Sequence, residues 1–149
     1  MKTTNKFSLT FPSYSTNEFF ARSAVAAFIT QLDPTLEELN DIKTAVSEAV
    51  TNAIVHAYKD SIGTIYITAE LMDDHLIRVR IRDKGCGIED VEQAMQPLFT
   101  TVGGERAGLG FAVMESFTDR VKVRSTPGKG TVVTLFKRLN VRVKAHAGS

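Results

Sequence analysis

The feature that most constrains the fold is the stretch from residue 43 to residue 58, which has the spacing of a helix with two distinct faces. At about 100° per residue, Glu48 and Asn52 lie one turn apart on the same face. The apolar stripe expected to face the core consists of Ile42, Val46, Ala49, Val50, Ala53 and Ala57. The residues around Glu48 and Asn52 have short side chains, namely Thr44, Ala45, Ser47, Thr51 and Val55. This face therefore predicts either a ligand that meets Glu48 and Asn52 or a second helix packed closely against it.

The bulk composition is that of an ordinary globular chain. With 43% hydrophobic and 23% charged residues among 149, we expect one domain with a substantial core. The formal net charge of +1 favours neither direct nucleic-acid binding nor binding to an anionic membrane. The single cysteine, Cys86, cannot form an intrachain disulfide and fits a reducing compartment. No segment has the character of a signal peptide or a membrane span, so a cytoplasmic location is expected.

Alternating and helical periodicities predict an α+β fold. Strands are expected at residues 7–11, 65–71, 77–81, 121–123 and 131–136. Two capping-box spacings, Ser15 to Glu18 and Thr35 to Glu38, each predict a helix start. Two further helices are expected at residues 88–95 and 111–119.

Three arginines alternate with apolar residues in one predicted strand. Arg78, Arg80 and Arg82 would therefore share one face of the sheet. Such a row is either a phosphate or nucleic-acid stripe or the solvent face of an antiparallel sheet. The near-neutral net charge favours the solvent face.

The sequence DKGCGI at residues 83–88 follows this strand directly. Asp83 would end the strand, with its carboxylate directed along the sheet toward a ligand. Gly85 and Gly87 would allow a sharp turn and a close approach to the backbone. Taken alone, the pattern is equally consistent with a simple turn.

The segment from residue 97 to residue 110 shows no periodicity and is rich in glycine. Thr100 and Thr101 supply hydroxyl groups, and Arg106 is its only cation. Gly108, Leu109 and Gly110 lead into a predicted helix, where unpaired N–H groups could hold phosphate. The alternative is a flexible linker into an ordinary helix.

The order of these weak signals is more restrictive than any one of them. The chain has no Walker A motif and no strand-led Rossmann fingerprint. Instead, it resembles the ATPase superfamily of DNA gyrase, the heat-shock chaperone, histidine kinases and the mismatch-repair clamp, called GHKL. The sequences SEAVTNAIVH at 47–56, PLFTT at 97–101 and GLGF at 108–111 resemble, within it, the anti-sigma-factor serine kinases of spore-forming bacteria. The resemblance extends from about residue 7 to about residue 137.

This resemblance implies a two-layer α/β sandwich, the Bergerat ATP-binding fold, with a mixed or antiparallel sheet and helices on one face. The ATP-binding kinase domain would occupy residues 1–137, and residues 138–149 would form a disordered tail. Asn52 would hold Mg²⁺ on the ATP triphosphate, Asp83 would accept the adenine amino group, and Glu48 would be the general base. The other implied nucleotide contacts are Gly85, Gly87, Thr100, Thr101, Arg106, Gly108, Leu109, Gly110 and Thr131.

The resemblance also implies partners. They are a sigma factor of the sporulation type and an anti-anti-sigma factor phosphorylated on serine, with the kinase a homodimer and Arg22 on a partner-binding surface. Lys84 replaces an expected acid and residues 102–104 (VGG) alter the expected lid, so an alternative stays open. That alternative is a nucleotide-gated sigma-factor-binding module, either of the general-stress branch or without kinase activity. A catalytic fragment of a histidine kinase or a clamp ATPase ranks third, because no dimerisation helices, phosphoacceptor region or transducer domain is expected in this sequence.

Overall fold

The protein folds as one antiparallel sheet covered by helices on one face. The computed structural model describes residues 2–96 and 107–140. The strands are β1 (Thr3–Pro12), β2 (Thr64–Met72), β3 (Leu76–Asp83), β4 (Arg120–Thr126) and β5 (Gly130–Arg138). They are ordered β1-β2-β3-β5-β4, and all four pairings are antiparallel. The predicted two-layer fold is confirmed, and the sheet is antiparallel throughout.

Strand alternation separates a helix-covered face from an open face. The apolar residues of β2 and β3, such as Ile67 and Ile81, are almost completely buried under the helices. The alternate residues of these strands, such as Tyr66 and Arg82, point to the other side. We call that second side the open face of the sheet. The arginine row of β3 lies on the open face, as expected for an antiparallel sheet with one covered side.

Within residues 2–96 and 107–140, four α-helices belong to the covered side. They are α1 (Asn17–Ile29), α2 (Leu36–Asn52), α3 (Val91–Ala94) and α4 (Ala107–Phe117). Helix α2 is central, since it contacts α1, α4, β3 and β5. Within the described residues, no helix is long and apolar enough to cross a membrane.

Both predicted helix starts are confirmed, but only the second capping box forms. The Thr35 hydroxyl accepts a hydrogen bond from the Glu38 N–H at 3.0 Å, and the Thr35 N–H donates to the Glu38 carboxylate at 2.9 Å. At the start of α1, Ser15 contributes only its backbone carbonyl, and no side chain caps the helix. The N–H groups of Asn17 and Glu18 instead donate to the backbone carbonyls of Tyr14 and Ser15, so main-chain acceptors replace the side-chain cap.

Helix α2 agrees with its prediction at one point and differs at another. Ala45, on the short-residue face beside Glu48, is completely buried because neighbouring helices enclose α2 on more than one side, as the helix-packing alternative predicts. The predicted helical run to residue 58 ends as α-helix at Asn52 and continues as a π-helical turn, Ala53–Ala57. Such turns are rare and occur frequently at functional sites.

The end of the described chain is held by the fold. The predicted domain boundary at residue 137 falls inside β5, and Leu139 is buried. The Asn140 N–H donates to the Glu38 carboxylate at 3.0 Å, so the helix-capping residue also fixes this segment. Residues 141–149, the remainder of the expected tail, lie outside the described residues.

Glu70 is the buried acid of the open face. Its carboxylate accepts a hydrogen bond from Arg78 Nε at 2.7 Å and another from the Thr3 hydroxyl at 3.0 Å. The hydrogen bond from Arg78 is the main reason that the pKa of Glu70 lies below its ordinary value. Because the folded-state pKa is depressed, the stabilisation is present above the unfolded pKa and is lost as pH falls through the folded pKa.

We therefore expect Glu70→Gln to lower the free energy of unfolding by about 1–2 kcal/mol at pH 7, because a charge-assisted hydrogen bond is lost. Urea denaturation should show the difference from wild type shrinking as the pH is lowered toward about 3. Glu115→Gln, an exposed change, is the matched control and should have little effect. If Glu70→Gln lowers the free energy of unfolding equally at pH 7 and near pH 3, the electrostatic explanation is contradicted.

Candidate functional site

A cavity of about 500 Å³ opens between the sheet, the end of α2 and the start of α4. This volume is within the usual range for small-molecule sites. Its lining combines apolar residues with a few polar groups. Those nearest the sheet and α2 are Ala49, Asn52, Ala53, His56, Ala57, Ile81, Asp83, Thr131 and Val133, and those on the other side include Cys86, Gly87, Ile88, Ala94 and Phe111.

Asp83 forms the polar floor of this cavity. It is only 7% exposed, and its Oδ1 accepts hydrogen bonds from the Gly85 N–H at 2.9 Å and the Thr131 N–H at 3.2 Å. Burial raises the pKa of this carboxyl, although the two N–H groups oppose the shift. Among the described residues, no donor hydrogen-bonds to Oδ2. One carboxylate oxygen is thus fixed by the protein and the other is available to a ligand.

The glycines after Asp83 are required by close backbone contacts. A Cβ at Gly85 would lie 2.4 Å from the Ala57 carbonyl oxygen. Gly87 has a φ of +76°, and a Cβ there would lie 2.4 Å from the Thr126 carbonyl oxygen. The two glycines therefore let the loop after Asp83 lie directly against the π-helical turn on one side and the β4–β5 turn on the other.

The π-helical turn joins the Asp83 loop to α2. The Ala57 carbonyl accepts a hydrogen bond from the Cys86 N–H at 3.1 Å. The Tyr58 hydroxyl accepts from the Lys84 N–H at 2.6 Å and donates to the Thr64 carbonyl at 2.7 Å. These contacts fix the end of the helix that carries Asn52 relative to the loop that follows Asp83.

Asn52 lines the cavity beside α4. Its Nδ2 is buried and has no hydrogen-bond partner among the described residues. A Cβ at Gly110 would lie 3.0 Å from the Asn52 Oδ1, so the glycine lets α4 approach the carboxamide closely. The helix-packing explanation therefore applies to part of the short-residue face of α2, and Asn52 faces a cavity. A ligand that meets Glu48 and Asn52 stays a prediction.

The structure brings together some of the predicted site residues. Asn52, Asp83, Gly87 and Thr131 line the cavity. Gly85 packs behind it. The predicted cradle Gly108-Leu109-Gly110 lies inside the first turn of α4 rather than before it, because the helix starts at Ala107.

Other predicted residues lie elsewhere. Glu48 is half-buried on α2, one turn before Asn52, and does not line the cavity. Arg22 lies on α1, where its Nε is 3.1 Å from the Glu18 carboxylate and its guanidinium is 5.1 Å from the centre of the exposed Phe19 ring. Thr100, Thr101 and Arg106 lie outside the described residues.

Two residues that support the cavity are absent from the sequence-based prediction. Tyr58 is one, and Ser125 is the other. The Ser125 hydroxyl accepts from the Ile88 N–H at 2.7 Å and is 2.7 Å from the Thr131 hydroxyl. Residues of β4 alternate between the two faces of the sheet, and this alternation could have placed Ser125 on the helix-covered face. Its hydrogen-bond partners are set only by strand register.

We expect Tyr58→Phe to lower the free energy of unfolding by about 1–2 kcal/mol, because two hydrogen bonds of a buried hydroxyl are lost. Nucleotide affinity should also fall several-fold, since the Asp83 loop is no longer held to α2. Thermal unfolding and isothermal titration with ADP measure the two effects. Tyr14→Phe, at an exposed tyrosine, is the control. Unchanged ADP affinity in Tyr58→Phe would limit this hydroxyl to a stabilising role.

The fold and the cavity define a nucleotide-binding domain of the GHKL type, and comparison with known proteins agrees. Residues 15–137 match the family model described as histidine kinase-like ATPase domain. The anti-sigma F factor of Caldanaerobacter subterraneus subsp. tengcongensis is 59% identical over 92% of this chain and 96% of its own length. The anti-sigma F factor of Bacillus subtilis is 52% identical over 91% of this chain and 94% of its own.

Solved structures agree on the fold. The RsbU and RsbW domains of Rv1364c from Mycobacterium tuberculosis superpose with a TM-score of 0.67 at 22% identity, covering 91% of this chain and 33% of that one. The histidine kinase domain of the Erythrobacter litoralis EL346 blue-light activated histidine kinase gives a TM-score of 0.57 at 24% identity, covering 79% of this chain and 59% of that one.

The chain belongs to the histidine kinase-like ATPase family and, within it, to the family of the anti-sigma F factors. The resemblance found in the sequence is thereby confirmed. Membership makes the domain an ATP-binding domain of the kinase type.

Proposed function

We propose that this protein is an ATP-dependent protein serine kinase and anti-sigma factor. It binds a sigma factor of the sporulation type and phosphorylates an anti-anti-sigma factor on serine, using Mg²⁺ and acting as a homodimer. Membership in the anti-sigma F factor family supports the partners, and the kinase-type ATPase domain supports the reaction. The homodimer rests on the family resemblance alone.

The observation that carries the proposal is the buried Asp83 carboxylate on the floor of the cavity. Its Oδ1 is held by two backbone N–H groups, so Oδ2 is oriented toward a ligand donor. The exocyclic amino group of adenine is such a donor, and the apolar walls provided by Ile88 and Ala94 suit a purine ring. With the base there, the triphosphate extends toward Asn52 and the start of α4.

The donor set at Asn52 fits a magnesium ion held mainly by phosphate. Mg²⁺ is usually bound through one or two protein groups together with substrate phosphates and water. In the described part of the chain, no group of three or more His, Cys, Asp or Glu side chains is placed to hold a metal ion. Asn52 would offer its carboxamide oxygen to the ion, and its buried Nδ2, which has no partner there, would be available to donate to a phosphate oxygen. The ion would neutralise phosphate charge during transfer.

The proposed reaction moves the γ-phosphoryl group from ATP to a serine hydroxyl. A bond forms between the serine Oγ and the γ-phosphorus, and the bond from that phosphorus to the β–γ bridging oxygen breaks. ADP leaves with the bridging oxygen. Glu48 takes the proton from the serine hydroxyl, and its position one turn before Asn52 puts it on the same face of α2. Arg22, on α1 beside the exposed Phe19, contributes to the partner-binding surface.

Transfer of labelled phosphate tests the proposal. The protein is incubated with γ-labelled ATP, Mg²⁺ and a purified anti-anti-sigma factor from an organism whose anti-sigma F factor is similar to this chain, such as Bacillus subtilis. The product is analysed for phosphoserine. Phosphoserine on the partner supports the kinase. Nucleotide binding without transfer would instead assign the nucleotide-gated binding module, and phosphate on histidine would assign a histidine kinase activity.

Asn52→Ala is expected to weaken binding of Mg-ATP by about tenfold or more, because the protein ligand to the ion is removed. Isothermal titration in Mg²⁺ and again in EDTA measures the change. The deficit should be large in Mg²⁺ and small in EDTA. Thr51→Ala, at the half-buried neighbour of Asn52, is the control. Equal affinity of variant and wild type for Mg-ATP would exclude the metal role.

A further inference from the structure

The open face of the sheet carries two parallel rows of cations that the proposed kinase does not use. One row is on β3 and the other on the edge strand β4, and β5 separates them. The cations are Arg78, Arg80 and Arg82 in the first row and Arg120, Lys122 and Arg124 in the second. Each β5 residue between the rows pairs with one cation on either side, and these residues are Val132, Thr134 and Phe136. We call this arrangement the basic trough.

Little negative charge lies in the basic trough. Glu70 is 2.7 Å from Arg78 and 3.4 Å from Arg80. In residues 2–96 and 107–140, no carboxylate forms an ion pair with the other four cations. Since the whole chain has a formal net charge of only +1, the six cations of this face are balanced mainly by acidic residues elsewhere in the chain. Residues 141–149 contain no Asp or Glu.

The dimensions of the basic trough match a helix. The two rows are two strand spacings apart, about 9.6 Å, and an α-helix with its side chains is about 10–12 Å wide. Three cations at alternate positions span about 13 Å, which corresponds to roughly nine helical residues. The floor between the rows is uncharged and partly apolar, since it consists of Val132, Thr134 and Phe136. An occupant with an apolar stripe and acidic flanks would satisfy both features.

Two other occupants fit less well. A second copy of this chain would place one basic trough against another, and the like charges would repel. A single-stranded nucleic acid gains much of its affinity from bases stacked on aromatic rings. Here the guanidinium of Arg82 lies 4.4 Å from the centre of the Tyr66 ring, and that of Arg120 lies 5.8 Å from the centre of the Phe136 ring. The rings are therefore engaged by arginine.

We infer that the basic trough is a docking site for an acidic amphipathic helix of a partner protein. The helix lies along β5, with its apolar stripe on the strand and its Asp and Glu side chains on the two cation rows. This site is on the opposite side of the sheet from the nucleotide cavity and from α1, so it is separate from the surface proposed to contain Arg22.

A defined peptide tests the inference. The probe is an 18-residue capped helical peptide with a leucine stripe flanked on both sides by glutamate, and its counterpart has glutamine at every glutamate. Fluorescence anisotropy should show the glutamate peptide binding in a salt-dependent manner, and the glutamine peptide binding at least about tenfold more weakly. Amide shifts in NMR spectra should change in β3, β4 and β5.

Two variants distinguish docking in the trough from general attraction to positive charge. Lys122→Glu with Arg124→Glu should weaken binding about tenfold or more, whereas Lys2→Glu, an exposed change outside the trough, should have little effect. Val132→Lys adds positive charge but places a long side chain on the β5 floor of the basic trough. If the peptide docks as a helix in the trough, this variant should bind it more weakly. If the peptide is attracted only by positive charge, this variant would bind it more tightly. Unchanged ADP affinity and thermal unfolding show that each variant is folded.

The inference is overturned if the glutamate peptide does not bind, or if the glutamine peptide binds equally well. It is also overturned if Val132→Lys binds more tightly than wild type. Tighter binding of a 20-nucleotide oligo(dT), in competition with the peptide, would assign the face to nucleic acid instead.

Discussion

Glu48→Gln is expected to reduce phosphoryl transfer to the partner serine by about 10²- to 10⁴-fold, the usual contribution of a positioned general base. A carboxamide has nearly the same shape as the carboxylate but cannot accept the serine proton. Glu48 does not line the nucleotide cavity, so the affinity for ADP should stay within about twofold of wild type. Single-turnover transfer of labelled phosphate and ADP titration measure the two quantities separately.

The control is Glu37→Gln, the same change at an exposed position in the first turn of α2. It should leave both transfer and ADP affinity unchanged. If Glu48→Gln transfers phosphate at the wild-type rate, Glu48 is not the base. If it loses ADP binding and transfer together, its role is to hold the nucleotide.

Asp83→Asn is expected to weaken ADP binding by about 10- to 100-fold, because a carboxylate acceptor is exchanged for a group that also presents N–H donors. The loss of affinity should be specific to nucleotides that carry adenine. Wild type should prefer ADP to inosine diphosphate, which lacks the exocyclic amino group, and the variant should lose most of this preference. Isothermal titration with both nucleotides gives the ratio directly.

The affinity of Asp83 for an amino donor should also depend on pH. Burial raises the pKa of the free carboxyl, and a donor on Oδ2 favours the ionised form. Affinity should therefore be constant well above the raised pKa and fall as pH decreases through it. The phosphates of ADP titrate in the same way whichever protein is present. The difference between the pH profiles of ADP affinity for wild type and Asp83→Asn therefore reports the Asp83 carboxyl alone.

Asp73→Asn, at an exposed turn, is the control for the change of charge. If ADP affinity depends on pH in the same way for wild type and Asp83→Asn, Asp83 does not recognise adenine. The preference for ADP would then have to come from other groups that line the cavity.

Local sequence signals predicted the elements well because their causes are local. The Thr35–Glu38 capping box closes within four residues, and alternation along β2 and β3 follows from the pleat of a strand. No Ser15 side-chain cap forms, because the Glu18 N–H that it would accept from donates to the Ser15 carbonyl at 3.2 Å. Local spacing is sufficient only where no backbone acceptor competes.

The details of the site depended on contacts distant in sequence. The π-helical turn ends where the Ala57 carbonyl meets the Cys86 N–H, and no periodicity in residues 43–58 contains that information. The burial of Ala45 depends likewise on the helices that enclose α2. The hydroxyl of Ser125 reaches Ile88 and Thr131 only through strand register.

By itself, the sequence determined the family, the order of the elements and the residue types available for chemistry, since these follow from spacing and motif. Only the tertiary structure decided which of those residues share one cavity, which oxygen of Asp83 is free, and that six cations form two rows on one face. Each of these depends on how separate segments are placed against one another, and packing and strand register set that placement.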